Sequence, residues 1–231
     1  MTTRQRGVIS LRRLLDDIRH HRDLITRENF VAYDGLPYDY AAVQEAYLDS
    51  MTPEELRKFR WVATNGPDAW GMSEIKHRAF DKLSGVATGN RTPRDLIHDN
   101  VFRTLESWCN APILGKLRAL RNKFVGHAAD EFSRRNEPLD RLGVSLDEIA
   151  EGQQIVVRTA IAIGSHILYD TALGGLVPTP QFDVFEHLEM PFIPADRMRE
   201  IGDWWDSHRC EREDWLGERV DLITGQIGPS P

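Results

Sequence analysis

Within LRALRNKFVGHAAD, residues 117–130, an arginine and a histidine stand six positions apart, Arg121 and His127, inside an otherwise amphipathic run. Imidazole takes up and releases protons near neutral pH. Guanidinium is a permanent cation whose fork grips two oxygens of one anion. A pair of this kind can move a proton and steady negative charge as it develops. The surrounding charge fits an anionic ligand: no acidic residue occurs between Glu106 and Asp130, while Lys116, Arg118, Arg121 and Lys123 all fall in that window. The whole chain carries a formal net charge of −7, so it does not coat nucleic acid with its entire surface. A basic patch on an acidic protein suits selective contact with a phosphate backbone.

For the pair to act, a helix has to hold it. At 100° per residue with Leu117 at zero, Leu120 falls at about −60°, Phe124 at about −20° and Ala128 at about +20°. By the same arithmetic Arg121 lies at about +40° and His127 at about −80°, flanking Phe124 on the half of the helix that faces a partner. Roughly 120° separates them on one ideal helix, a geometry that favours a site completed by a second copy.

This segment resembles the HEPN superfamily, whose mark is an arginine, a polar residue, and a histidine after four to six intervening positions. The chain has RNKFVGH, with Asn122 in the polar slot. The phrase LRALRNKFVGHAAD is most similar to the abortive-infection toxin branch. The resemblance implies an all-α helical bundle that dimerises so that two RNKFVGH segments meet. It also implies a metal-independent endoribonuclease, the toxin of a phage-defence or toxin–antitoxin system, with an antitoxin protein as a further partner.

In that chemistry His127 draws the proton from a ribose 2′-hydroxyl, Arg121 stabilises the phosphorane-like transition state, and Asn122 orients either group or contacts RNA. Lys116, Arg118 and Lys123 then hold the flanking backbone. Activity should weaken as pH drops below about 6, because a protonated imidazole is no base. The spacing recurs at Arg13 with His20 and at Arg91 with His98, but Arg13 is followed by apolar Leu14 and Arg91 opens a loop at Thr92 and Pro93. Against all this stands the plain reading that Arg121 snorkels from an apolar border and His127 is a hydrogen-bonded core residue.

The rest of the chain reads as helix. Residues 8–25 carry Ile9, Leu11, Leu14, Leu15 and Ile18 at helical spacing, and a second helix follows Pro37. Thr52, Pro53 and Glu55 start a third; another runs from Ser73 to about Ser84. Thr92 and Pro93 signal a helix through RDLIHDNVFRTLESW, and the opening stretch is predicted helical from about Ile113 to Arg135. Ser145 with Glu148 caps a long helix, apolar on most sides of its middle, predicted to be the central buried one, with His166 buried in it. Gly126 and Gly164 are expected to permit close helix approach.

Residues 1–172 are thus expected to form the helical domain. Residues 173–231, an extended segment followed by a helix with Trp204, Trp205 and Trp215, are expected to pack on it or on a second subunit. A non-catalytic interaction module working through that tail is the alternative function. No Gly-rich phosphate loop, GxSxG elbow or Walker motif appears, so no cofactor is expected. No metal site is expected either: His187 and His208 lie near Glu186, Glu189 and Asp206 without a ligand spacing, and Cys109 and Cys210 form no CxxC pair. With no signal peptide and no run of 18 apolar residues, the reading is a cytoplasmic protein that uses no membrane.

Overall fold

The computed structural model describes residues 10–52, 54, 63–122, 143–170, 176 and 194–228. They are mostly helical, and the only strands among them are two of two residues each. Backbone contacts group Met1–Glu106 with Asp221–Gly225 in one unit, and Ser107–Val220 with Gln226–Pro231 in another. The boundary expected between 172 and 173 lies outside the described residues, as does the helix expected from the Pro53 start.

In the first unit, α1 (Leu11–His20) begins on Ser10, whose hydroxyl accepts the Arg13 N–H at 3.2 Å, and it buries Leu15 and Ile18. It stops short of the expected Ile25 because Thr26 is drawn into an extended bridge with Leu96. Thr26 then caps α2 (Arg27–Ala32), accepting the Asn29 N–H at 3.2 Å. Two of the first-turn donors of α2 are met from elsewhere: Arg27 N–H donates to the Asp95 carbonyl and Glu28 N–H to that of Pro93, both at 3.0 Å.

That pairing explains a departure from expectation. Residues 93–96 serve as a cap for α2, so the helix signalled at Thr92 starts only at α5 (Asp99–Cys109). Between them, α3 (Tyr40–Asp49) starts on Asp39 and α4 (Trp70–Ser84) ends at Gly85, whose φ of 72° is the left-handed geometry glycine supplies. The apolar centre is Phe30, Val31, Phe80, Leu83, Ile97, Val101, Phe102 and Leu105.

In the second unit, α6 (Pro112–Leu120) has proline at its first turn, where a missing N–H costs nothing. Residues 121 and 122 continue it with wider π-helical winding. The long helix α7 (Leu146–Ile161) starts with a reciprocal box: Ser145 Oγ accepts the Glu148 N–H at 3.1 Å, and Glu148 Oε2 accepts the Ser145 N–H at 2.9 Å. It passes into a π-helical turn at Ala162–Ile167.

The helix expected to be the central buried one is buried in part: Gly152 and Thr159 of α7 and Ala162, Ile163 and Ile167 of the π-helical turn are inside, while Gln154 and Arg158 reach out to Glu218. His166, expected inside, is exposed. A terminal helix α8 (Met198–Asp214) follows, then β1 (Arg219–Val220) paired antiparallel with β2 (Ile227–Gly228). Among the described residues no helix is long and apolar enough to cross a membrane.

Candidate functional site

Arg118 lies on α6 and the motif's Arg121 follows directly at its end, so what fixes α6 fixes both. Its Leu117 lies against α7 at Gly152, a position so close that a Cβ there would overlap Leu117 Cδ1. Close approach was expected at Gly164, yet a Cβ at Gly164 would meet nothing within 4 Å. The small residue that lets two helices touch is Gly152.

A second clamp joins the same helices. Lys116 Nζ donates to Glu148 Oε1 at 2.6 Å, while the other oxygen of that carboxylate caps α7. The Lys116 ammonium, with help from the Ser145 N–H, holds the Glu148 carboxyl below the usual range. Lys116 therefore already has an anionic partner inside the protein.

The next cations along α6 are different. Arg118 and Arg121 are both exposed, and neither has an acidic partner among the described residues. Residues three apart on a helix are neighbours on its surface, so both side chains leave the helix from the same face. The Arg121 guanidinium is held sideways by its successor: Nε and Nη2 donate to Asn122 Oδ1 at 3.1 and 2.8 Å. Nη1 has no hydrogen-bond partner among the described residues. This is a prepared cation, with a neutral amide rather than a carboxylate doing the holding, so its charge is not cancelled.

The inward orientation expected of Arg121 does not hold within one chain, where it faces solvent. Arg121 and Asn122 have π-helical winding, with bonds from i to i+5, so the 100° arithmetic does not apply at these two residues. His127 and Lys123 lie outside the described residues.

The other two arginine-histidine matches are taken up by structure. Arg91 grips both oxygens of Asp81 at 3.0 and 2.6 Å, and His98 Nδ1 accepts the Asn100 N–H at 3.1 Å at the start of α5. Arg13 lies 3.9 Å from Asp17, one turn along, and His20 packs edge-on against His21.

Sequence reading passed over the densest polar cluster of the first unit. Arg27 is completely buried. It donates to Asp95 at 2.7 Å, to Asp81 at 2.8 Å, and to the His77 carbonyl and Ser84 hydroxyl at 3.2 Å each. Burial pushes the Asp81 carboxyl up, but hydrogen bonds from Arg91 and Arg27 outweigh it and leave the group below its ordinary range. Beside them, His77 Nε2–H donates to the Tyr38 carbonyl at 2.9 Å, while its buried Nδ1 has no partner among the described residues. No local signal marks Arg27, whose partners lie 50 to 68 positions away. With every charge matched, this cluster ties α2 and α4 to the 91–95 loop.

Among the described residues no three of His, Cys, Asp and Glu are grouped so as to hold a metal ion. No protein-family model, curated protein or solved structure matches the chain.

Proposed function

We propose that this chain is a metal-independent endoribonuclease of the HEPN type, working in the cytoplasm as the toxin of a phage-defence or toxin–antitoxin system. One observation carries the reading: Arg118 and Arg121 form an exposed pair of cations with no acidic partner among the described residues, and Asn122 fixes the second of them. Two arginines on one face with no acidic partner among the described residues offer the positive charge and bidentate donors that a phosphodiester accepts. The engagement of Arg91 by Asp81 and of His98 at the start of α5 removes one competing arginine-histidine match and adds weight to the one at Arg121.

In this account His127 removes the proton from a ribose 2′-hydroxyl. The freed oxygen attacks the adjacent phosphorus, Arg121 bears the charge that accumulates, and the bond to the 5′-oxygen breaks as that oxygen takes a proton from water, while His127 returns its own proton to solvent. A second copy of the chain completes the site. The test is RNA cleavage in EDTA with analysis of the product ends. Cleavage leaving 2′,3′-cyclic phosphate and 5′-hydroxyl ends supports the reading; a requirement for added magnesium, with 5′-phosphate ends, removes it.

The second reading, a non-catalytic helical interaction module, is favoured by the exposure of Trp204 and Trp205 on α8. It predicts no RNA cleavage under any condition and loss of partner binding when the tail is deleted.

A further inference from the structure

We infer that α8 is a self-association surface on which a second copy of this chain lays its own α8 antiparallel. The helix has no buried residue, and its large side chains stay open: Met198 is 47%, Ile201 40%, Trp204 58% and Trp205 39% exposed. These four and His208 fall within a stripe about 120° wide at 100° per residue. From Met198 to His208 the stripe carries no charged residue of α8 and ends one turn on at Arg212, which lies over Trp215; an apolar stripe of this width is the pattern of a helix that has a partner.

Charge selects the occupant. From Met198 to Asp214 three arginines face six carboxylates, so an anionic membrane surface repels the helix. Along one edge of the stripe lie Arg197, Trp204 and Glu211, seven positions apart. When two copies run antiparallel with Ile201 packed against the partner's Trp205, Arg197 stands opposite the partner's Glu211, and by symmetry the contact occurs twice. A parallel pair sets like ends together and loses both contacts. In one chain the two groups are fourteen positions, about 21 Å, apart along the axis and cannot meet. Arg197 is paired with Glu200 on its own helix at 3.0 and 3.1 Å, an exposed contact that is readily exchanged.

Gly202 gives an independent pointer. Glycine in mid-helix is unfavourable, and a Cβ there would meet nothing within 4 Å, so the fold of one chain gives no steric reason for it. On the other flank of the stripe, in the same antiparallel register, Gly202 faces the partner's Gly202 and lets the helices come close.

The test is the dimer dissociation constant of the full chain by analytical ultracentrifugation, with circular dichroism to check folding. Wild type is expected to dimerise and Trp205→Glu to be monomeric. Arg197→Glu and Glu211→Arg should each raise Kd by roughly tenfold, and the double reversal should restore it to within about twofold. Gly202→Leu, a better helix former, should raise Kd while helicity is kept or increased. Arg121→Ala should leave Kd unchanged while cleavage of RNA is lost, so failure of the α8 contact and failure of the ribonuclease site are read in different variants. A wild-type monomer at all concentrations overturns the inference. So does a dimer that survives Trp205→Glu, or single reversals that weaken it without rescue by the double.

Discussion

Gly152 and Leu117 are in such close register that α7 and α6 touch where glycine has no side chain. Leu117 precedes Arg118 by one residue and Arg121 by four, so this contact sets the position of both cations. Gly152→Ala gains about 1 kcal/mol in helix propensity but overpacks Leu117, which costs about 1–3 kcal/mol. Net destabilisation of about 1 kcal/mol is expected in urea unfolding, relieved when Leu117→Ala is added. A gain in stability for the single variant would mean that Leu117 turns aside freely.

Asp81 stands between two arginines, one of them completely buried. Asp81→Ala leaves the Arg27 guanidinium with Asp95 as its remaining carboxylate, and breaking a buried pair in this way typically costs about 3–5 kcal/mol. Thermal unfolding should show the loss directly. A change below about 1 kcal/mol would show that Asp95 suffices.

Acid should weaken the fold in two stages. Burial lowers the proton affinity of His77, so the folded form binds fewer protons there than the unfolded chain. Its stabilising effect is therefore complete above the ordinary histidine range, about 6.5, and is lost as pH falls through the lowered value. Asp81, Asp95 and Glu148 are also held low, by hydrogen bonds from Arg91 and Arg27, from Thr92 and Arg27, and from Lys116 respectively. Their effect persists until pH falls below about 4. Unfolding free energy measured between pH 7.5 and 3 should fall in both windows, and His77→Gln should remove the first decline only. A flat profile from 7 to 5 in wild type contradicts the role of His77.

The Lys116 to Glu148 ion pair withholds one of the cations read as RNA contacts. Glu148→Gln should free it, lowering KM for RNA a few-fold while kcat is unchanged, because a phosphate contact away from the reacting atoms contributes to binding alone. An unchanged KM would confine Lys116 to fixing α7 against α6.

Features written in neighbouring residues are legible before the fold: the box of Ser145 and Glu148 acts within one turn of chain and stands where expected, and the helix expected to end near Ser84 ends there. The misreadings involve distant partners. The helix signalled at Thr92 is delayed because its carbonyls cap α2, and Arg27 hides in a short helix because its carboxylates come from α4 and the 91–95 loop. Gly152 escaped notice for the same reason: its meaning depends on Leu117 from another helix. Of the site, the residue types and local spacing were legible, whereas the Asn122 grip on Arg121 and the occupation of Lys116 by Glu148 depend on winding and packing.

The central claim is tested most directly by kcat/KM for RNA cleavage in EDTA, comparing wild type with Arg121→Ala and His127→Ala at equal folded concentration. The account predicts that each single variant falls by at least about 100-fold, since charge stabilisation and proton transfer each commonly supply that much. Wild-type rates in either variant, with the fold intact, would contradict it.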